Sequence, residues 1–331
     1  MVAMSLFIAI TTGLLTVLTA RLFALSMRRA AIGQHIRDYG PDIHTYKKGT
    51  PTMGGVVILI VWSLAMLITH LLFALTWEGI FIWTSGIACG AIGLLDDLLS
   101  LKRGKALGLC ARHKILLQTV IAVILFLVFF EHLSAIPIAI PFSAGYISLP
   151  AVPLFILVWG VFLATTNGMN LTDGLDGLAA GTTVIILFVY LLLFTLPSIR
   201  MTVIPLIGIL LGFLWLNFYP SKLFLGDVGS FALGGIVGGL ALTTGTAFIL
   251  PLIAGLLVIE TLSVILQVCY YKRTQKRIFK ISPLHHHFER AKGIDYPYLV
   301  RSYEWPEPTI TVRFWLIEAF LATIGIIAIL L

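Results

Sequence analysis

Long runs of apolar residues are the feature that most constrains the fold of this sequence. A helix that crosses a bilayer needs about 20 mostly apolar residues, and ten runs of about that length can be counted in the 331 residues. Only 11% of the residues are charged, whereas a soluble domain usually carries about 25%. The sequence therefore predicts an all-α, polytopic membrane protein with about ten spans, although nine or eleven also fit. The runs cover residues 4–25, 54–75, 79–95, 115–131, 148–166, 177–197, 201–219, 228–245, 247–270 and 310–331.

The basic residues indicate an orientation in the membrane. Short cytoplasmic loops are enriched in Lys and Arg. With ten spans, all 22 Lys and Arg residues except Arg200 lie on one side or at the helix ends of that side. We therefore expect both termini to lie outside the cytoplasm, and residues 1–331 to form a single transmembrane domain. The expected cytoplasmic loops are about 26–53, 96–114, 167–177, 219–228 and 271–309.

The net charge of +7 does not by itself indicate nucleic acid. The basic residues lie in short loops beside the membrane, where they meet membrane lipids and anionic substrates. We expect no nucleic-acid partner. Cys89, Cys110 and Cys269 have no C-x-x-C spacing and form no evident redox or zinc motif.

The loop before span 2 carries groups that suit an anion. Lys47 and Lys48 are followed by Thr50, Thr52 and three glycines, directly before the apolar run. Free N–H groups at a helix start and nearby ammonium groups both favour phosphate. A positively charged anchor followed by a turn is the alternative for the two lysines.

Two adjacent carboxylates, Asp96 and Asp97, stand at the end of span 3. Consecutive helical residues point about 100° apart, so we expect the two carboxylates to do different jobs. Carboxylates at the C-terminal end of a helix oppose its dipole, which disfavours a pure capping role. A solvated pair that marks the membrane interface is the alternative.

Four polar residues, Asn167, Asn170, Asp173 and Asp176, lie within ten residues between spans 5 and 6. If the end of this segment is helical, Asp173 and Asp176 share one face and can address one ligand together. The spacing is not that of an EF-hand. A turn with a helix cap explains one Asp and one Asn, but not all four.

Asp227 stands at the entrance to span 8, close to Gly226 and Gly229. A lone carboxylate at membrane depth indicates a functional site. An N-cap for span 8 is the alternative, and the two roles are compatible.

The longest loop contains the triplet His285, His286 and His287. Adjacent histidines cannot all reach one metal from a helix, so phosphate contact or proton transfer is favoured over zinc, with a plain basic loop as the alternative. Within the spans, Glu260 and Glu318 either pair with other helices or line a groove. The sequence does not decide between these two.

These segments together suit Mg²⁺-assisted phosphoryl transfer. Mg²⁺ prefers hard oxygen ligands and substrate phosphates, and phosphoryl transfer needs mainly positioning and charge stabilisation. The sequence has no GxxxxGK[ST] motif, so we expect a diphosphate donor other than ATP. A site at the membrane edge further indicates a lipid phosphate as one substrate. The candidate carboxylates are Asp96, Asp97, Asp173, Asp176 and Asp227.

The segments KKGTPTMGG, LLDDLLSLKR, NGMNLTDGLDGLAAG, FLGDVGS and PLHHHFE closely resemble those of the phospho-N-acetylmuramoyl-pentapeptide transferase family. This family is a branch of the polyprenyl-phosphate N-acetylhexosamine-1-phosphate transferases, and the resemblance follows essentially the whole chain. It implies transfer of phospho-MurNAc-pentapeptide from UDP-MurNAc-pentapeptide to undecaprenyl phosphate, giving lipid I and UMP, with Mg²⁺ as cofactor. It also implies a homodimer in the bacterial cytoplasmic (inner) membrane.

The resemblance assigns roles by motif position. It implies Asp227 as the metal ligand and, with Asp96 and Asp97, as part of the catalytic set. The three histidines belong to that set on the donor side, and which of them dominates stays open. Phe224 is implied to stack on uracil. The residues implied to line the nucleotide and metal site are Lys47, Thr52, Asn167, Asn170, Asp173, Gly174, Leu175, Asp176 and Phe224.

Three mechanisms and three other functions stay open. Asp96 or Asp97 can act as a base on the lipid phosphate or attack the donor covalently, or Asp97 can orient other groups.

A sister transferase for UDP-GlcNAc is the nearest alternative function, and GTPTMGG and HHHFE argue against it. An intramembrane aspartyl protease needs Tyr-Asp and Pro-Ala-Leu motifs that the sequence lacks. A transporter would hold its polar residues near mid-membrane.

Overall fold

The computed structural model describes residues 2–30, 33, 47, 49–104, 108–290, 294 and 296–331. Within these residues the chain forms thirteen helices and one small hairpin. Lys48 and Lys105 lie outside the described residues. The helices are α1 (Val2–Arg29), α2 (Gly55–Phe73), α3 (Trp77–Arg103), α4 (Ala111–Val128), α5 (Phe130–Ser134), α6 (Ala151–Thr172), α7 (Leu178–Leu193), α8 (Pro197–Asn217), α9 (Gly226–Thr243), α10 (Leu250–Ile253), α11 (Gly255–Thr274), α12 (Leu284–His287) and α13 (Glu307–Leu330), and the strands are β1 (Ile138–Ala139) and β2 (Tyr146–Ile147).

Each of the ten predicted apolar runs contains a helix, and this confirms a polytopic helical membrane protein. In the described residues, nine helices are long and apolar enough to cross a bilayer. The exception among the ten runs is α7, which has 16 residues. At 1.5 Å per residue it extends about 24 Å, less than the hydrocarbon thickness of about 30 Å. The predicted count of about ten spans, for which nine also fitted, thus compares with nine such helices and one shorter apolar helix in this part of the chain.

The all-α prediction agrees with a mostly helical chain, and the one addition in the described residues is a small hairpin between α4 and α6. There, β1 and β2 pair antiparallel. The N–H of Ala139 donates to the carbonyl of Gly245 at 2.8 Å, and the N–H of Phe142 donates to the carbonyl of Ala328 at 2.9 Å. Strands of two residues are too short to produce the alternation by which a strand is predicted.

The ninth predicted run is not one continuous helix, because it breaks at Ala254 between α10 and α11. A break inside a membrane leaves backbone N–H groups that need partners. Glu318 of α13 supplies one, since its Oε2 accepts the N–H of Leu256 at 2.8 Å. Glu260 pairs with His285 instead, and both glutamates are fully buried. Both side chains therefore contact other segments and do not line an open groove.

Helix α9 lies in the centre of the bundle, and α3 crosses it closely. Gly93 of α3 makes this approach possible, because a Cβ at that position would lie 2.1 Å from the carbonyl oxygen of Asp227. The contact fixes the height of α3 against the first turn of α9. It therefore places Asp96 and Asp97, one turn further along α3, beside the start of α9.

The outer surface of the bundle is strongly apolar. Trp215 is 80% exposed, Leu71 74% and Phe320 68%. Soluble monomers rarely expose large contiguous apolar patches. This surface therefore suits the hydrocarbon of a lipid bilayer.

Hydrogen bonds and ion pairs join the segments that follow α1, α3, α6, α8 and α11 at one end of the bundle. The N–H of Gly54 donates to the carbonyl of Phe224 at 2.8 Å. Lys47 contacts both Asp176 and Glu307. The polar residues of five separate segments therefore share one end of the molecule.

Candidate active site

Both oxygens of the Asp227 carboxylate have side-chain partners. It lies in the first turn of α9, and its Oδ2 is 2.6 Å from the Nζ of Lys114. Its Oδ1 accepts a hydrogen bond from Asn170 Nδ2 at 2.9 Å, and Asn170 also donates to Ser230 Oγ at 3.0 Å. The side chain therefore has partners on α4 and α6. It does not cap α9, so the N-cap alternative is wrong.

Lys114 also contacts Asp96, so that one ammonium group bridges two carboxylates. Its Nζ lies 3.3 Å from Asp96 Oδ1, which accepts the N–H of Leu109 as well. In the sequence alone, Lys114 is one of many basic residues beside the membrane. One signal was available, because a cation in the first turn of a helix opposes the dipole unless an anion faces it.

Asp97 caps α9 from the neighbouring helix. Its two carboxylate oxygens accept the backbone N–H groups of Asp227 at 3.3 Å and Val228 at 3.0 Å. These N–H groups have no acceptor inside their own helix. The adjacent Asp96 and Asp97 therefore have different partners: an ammonium group for the first and a helix start for the second.

Asp173 and Asp176 do not share a helix face. Helix α6 ends at Thr172, and Asp173 has a non-helical backbone with ψ of 50°. Asp176 accepts the N–H of Ser221 at 2.9 Å, and its other oxygen lies 2.7 Å from Lys47 Nζ. The condition under which the two aspartates would address one ligand together is therefore not met.

Asp173 belongs electrostatically with the carboxylates near α9. Burial raises the pKa of Asp173 well above its ordinary value, and repulsion by Asp227, Asp97 and Asp176 adds to this shift. We call Asp96, Asp97, Asp173 and Asp227 the acidic cluster.

Lys47 is held on the other side of the turn that residues 173–177 form. Its ammonium group contacts Asp176 and Glu307, and all three side chains are buried. Burial lowers the pKa of Lys47, but the two carboxylates more than offset this, so the net shift is upward and the group stays charged. Glu307 was missed because it was read as part of a long loop. Its position at the start of α13 is what brings it to Lys47.

Phe224 lies close to Lys47 and contacts the backbone of Pro51, the residue before Thr52. The ring centroid of Phe224 is 5.8 Å from Lys47 Nζ, and its N–H donates to the carbonyl of Pro51 at 2.9 Å. Thr52 follows Pro51 and is buried.

Asn167 and Leu175 have partners away from the acidic cluster. Asn167 Nδ2 donates to the carbonyl of Leu163 at 2.8 Å and to Gln118 Oε1 at 3.3 Å, which joins α6 to α4. Leu175 is buried in a small apolar group with Leu178 and Phe314. Both residues therefore contact protein groups that hold the surrounding elements together.

The three histidines have three different environments. His287 accepts the N–H of Lys280 at its Nδ1 at 2.9 Å, and its Nε2 lies 3.3 Å from the carbonyl of Arg301. His286 contacts the carboxylate of Glu289. Burial, and the charge of Lys280, lower the pKa of His287, so the neutral ring is favoured. His287 therefore connects two stretches of the loop, around Lys280 and around Arg301.

His285 is fully buried and lies between Glu260 and Gly174. Its Nδ1 is 3.1 Å from Glu260 Oε1. A Cβ at position 174 would lie only 2.1 Å from His285 Nε2, so only glycine leaves room for the ring there. The histidine loop, residues 284–289, thus reaches the 173–177 turn through this ring, and Leu284 and Phe288 pack against the apolar group that includes Leu175.

The donor set of the acidic cluster fits a hard cation. In the described part of the chain, no group of three His, Cys, Asp or Glu side chains is arranged to hold a metal by itself. Mg²⁺ commonly takes only one or two carboxylates and completes its shell with water and substrate phosphates. Asp96 and Asp227 already share one cation, the ammonium of Lys114.

Comparison with known proteins gives a consistent result. Residues 79–245 match Glycosyl transferase family 4, and residues 47–59 match the phospho-N-acetylmuramoyl-pentapeptide-transferase signature 1. The chain is 37% identical over 333 residues to a phospho-N-acetylmuramoyl-pentapeptide-transferase of Clostridioides difficile, which covers 97% of this chain and 96% of the relative. It is 40% identical over 346 residues to the enzyme of that name from Desulfosudis oleivorans, with 97% and 91% covered. The enzyme of the same name from Geobacillus thermodenitrificans is 39% identical over 327 residues, with 95% of this chain and 94% of the relative covered. The matched ranges include Lys47, Lys114 and the whole acidic cluster.

Proposed function

This chain belongs to the phospho-N-acetylmuramoyl-pentapeptide transferase family, and from that premise we propose that the acidic cluster is its catalytic centre. The enzyme transfers phospho-MurNAc-pentapeptide from UDP-MurNAc-pentapeptide to undecaprenyl phosphate, giving lipid I and UMP. The observation that carries the proposal is the position of Asp227, which is held by Lys114 and Asn170 beside Asp96 and Asp97.

We place the end of the bundle that carries the acidic cluster in the cytoplasm of a bacterial inner membrane, with both chain termini on the opposite side. The excess of Lys and Arg in the loops of this end supports the orientation. A soluble nucleotide donor then arrives from the cytoplasm. The lipid acceptor presents its phosphate at the same interface.

In this proposal, Asp227 is the residue that holds Mg²⁺. When bound, the metal neutralises charge on the donor diphosphate. Lys114 keeps Asp96 and Asp227 together in spite of their like charges, and it adds positive charge beside the transferred phosphoryl group. Asn170 fixes the carboxylate of Asp227 through Oδ1.

The contacts of Asp97 favour an orienting role over covalent attack. Both of its oxygens accept backbone N–H groups. These hydrogen bonds occupy both oxygens and hold the carboxylate against the start of α9. We therefore favour direct attack, in which a phosphate oxygen of the lipid bonds to the β-phosphorus of the donor while its bond to the oxygen of UMP breaks. A lipid phosphate is largely ionised near neutral pH and needs little help from a base.

We propose that the donor nucleotide binds beside the 173–177 turn. We propose that Lys47, Thr52, Asn170, Asp173, Gly174, Asp176 and Phe224 contact it, and that His285 and His286 approach it from the histidine loop. Asn167 and Leu175 contribute indirectly, since their contacts fix α6 to α4 and the turn to the core. The homodimer implied by the family stays a prediction, which the mass of the purified protein in detergent would test.

A direct assay separates this function from that of a UDP-GlcNAc transferase. Purified protein receives undecaprenyl phosphate and Mg²⁺ with either UDP-MurNAc-pentapeptide or UDP-GlcNAc, and UMP release is followed. We expect turnover with the first donor only. Turnover with UDP-GlcNAc alone would contradict the proposed donor.

A further inference from the structure

Neither ring nitrogen of His285 makes a hydrogen bond of good geometry in the described residues, but Nδ1 lies 3.1 Å from Glu260 Oε1, whereas the other nitrogen has no such neighbour. This atom, Nε2, is fully enclosed by protein. It lies directly over Gly174, at the position that a Cβ of residue 174 would need. A buried polar atom without a partner is costly. The free nitrogen therefore faces the 173–177 turn, on the side where the donor nucleotide is proposed to bind.

Glu260 holds the opposite edge of the same ring. Its Oε1 lies 3.1 Å from His285 Nδ1, and the backbone N–H of His285 lies 3.3 Å and 3.5 Å from its two oxygens. Glu260 is in α11, inside a membrane-spanning helix, and is fully buried. A carboxylate in that environment is rare and usually has a specific partner. Here one carboxylate contacts both the ring and the backbone of one histidine.

We propose that Glu260 is a positioning residue that orients His285, with Nδ1 toward the carboxylate and Nε2 toward the anionic phosphates of the donor nucleotide. The inference rests on the proposed function, because it takes its ligand from it. It adds a residue outside every motif that carries the family resemblance. It also selects His285 within the triplet, since both ring nitrogens of His287 already lie beside backbone groups.

The charges around His285 agree with a donor role for Nε2. Burial lowers the pKa of His285, but the carboxylates of Glu260, Glu289 and Glu307 more than offset this, so the net shift is upward. The neighbouring ring of His286 is 4.1 Å away, centroid to centroid, and its own pKa is lowered by burial and by His285. A protonated His285 carries a hydrogen on both ring nitrogens. Nε2 can then donate to a phosphate oxygen.

The test compares Glu260→Gln with Glu318→Gln in the full-length enzyme in lipid nanodiscs. Both changes remove one buried carboxylate from a membrane-spanning helix and keep a hydrogen-bond acceptor. UMP release is measured from pH 6 to pH 9 for these variants, for Glu260→Asp, for His285→Asn and for Glu260→Gln combined with His285→Asn. Thermal unfolding of each variant shows whether it is folded.

We expect Glu260→Gln to lower kcat by about 10- to 100-fold, the range seen when a carboxylate that orients a histidine is lost. The alkaline limb of the pH dependence of kcat should move to lower pH by about one unit or more in this variant, because the carboxylate that raises the pKa of His285 is gone. Glu260→Asp should keep the limb near that of the wild type. Glu318→Gln should leave both kcat and the limb unchanged.

The double variant decides whether Glu260 acts through His285. If it does, adding His285→Asn to Glu260→Gln lowers kcat by no more than about threefold further, because residues that act as a unit are not additive. The proposal would be overturned if the loss of kcat in the double variant equalled the product of the two single losses. It would also be overturned if a folded Glu260→Gln enzyme kept the alkaline limb of the wild type.

Wild-type turnover reports on the proposed function, and the differences between variants report on Glu260. If the wild type released no UMP, the proposed function would fail while the Glu260 assignment could still be judged. The pKa of His285, followed by NMR of histidine labelled with ¹³C at Cε1, must then fall in Glu260→Gln and stay constant in Glu318→Gln. An unchanged pKa in Glu260→Gln would overturn the assignment.

Discussion

The carboxylate of Asp97 accepts the backbone N–H of Asp227 at 3.3 Å, so a residue of α3 holds the start of the helix that carries the proposed metal ligand. The same carboxylate accepts the N–H of Val228. Position and charge at Asp227 therefore depend on a side chain that is 130 residues away along the chain.

The first prediction concerns this cap. Asp97→Asn keeps one acceptor oxygen but loses the charge that favours a helix start, so we expect a folded protein, destabilised by about 1 kcal/mol, with severely reduced turnover. Thermal unfolding and UMP release measure the two effects. Glu131→Gln, an exposed carboxylate at the opposite end of the bundle, is the control. Normal turnover in Asp97→Asn would show that the cap does not matter for catalysis.

The second prediction concerns the metal. Asp227→Asn should abolish turnover, and it should also abolish the increase in melting temperature that Mg²⁺ gives the wild-type enzyme. Chelation of Mg²⁺ should stop wild-type turnover reversibly. A Mg²⁺-dependent thermal shift that survives in the Asp227 variant would place the metal on other residues.

The third prediction concerns Lys114, which sequence analysis treated as a loop charge. Lys114→Gln leaves Asp96 and Asp227 with no shared cation, so we expect turnover to fall by about 100-fold or more, the scale on which positioned charges act in catalysis. Arg112→Gln removes an exposed basic residue from the same helix turn and is the matched control. Equal effects of the two changes would indicate that Lys114 only anchors the loop.

The fourth prediction concerns the contact between the histidine loop and the 173–177 turn. Gly174→Ala would place a Cβ 2.1 Å from His285 Nε2, so the turn or the ring must shift, and both turnover and thermal stability should decrease. Gly160→Ala, in α6, meets nothing within 4 Å. In a helix interior that change is expected to stabilise by about 0.5–1 kcal/mol. If both variants behaved alike, His285 would not lie against the turn.

The fifth prediction concerns pH. The pKa of His287 is lowered in the folded protein, so its neutral ring contributes stability that is fully present above the unfolded pKa of about 6.5 and is lost as the pH falls through the folded value. We expect the melting temperature to decrease with falling pH below about 6.5. In His287→Asn, whose side chain can still accept the N–H of Lys280, this decrease should be smaller. An identical pH dependence in the two proteins would exclude His287 as its source.

Local patterns predicted the helices and the polar segments well. The apolar runs are long, and each contains a helix, because length and hydropathy are properties of one segment. The same holds for Asp227, because a charge at membrane depth is unusual in itself.

Partners that are distant in the chain could not be predicted in this way. The position of Lys114 at a helix start indicates an anionic partner, but nothing near it in the sequence identifies Asp96 and Asp227, and nothing near Glu307 identifies Lys47. Asp97 was expected to be a poor cap for its own helix, and it caps a different one. The break at Ala254 was missed because the residues on both sides are apolar, and its main stabilising contact comes from Glu318.

Helix α13 has a consequence for how the enzyme is made. It is synthesised after α1 to α12, and it carries both Glu307, which contacts Lys47 together with Asp176, and Glu318, which accepts an N–H at the start of α11. Until α13 enters the bilayer, the ammonium group of Lys47 has only one of its two carboxylates, and the N–H of Leu256 lacks the acceptor that Glu318 supplies. A nascent chain that still lacks α13 therefore already holds the acidic cluster, but without the contacts that α13 makes to Lys47 and to the start of α11.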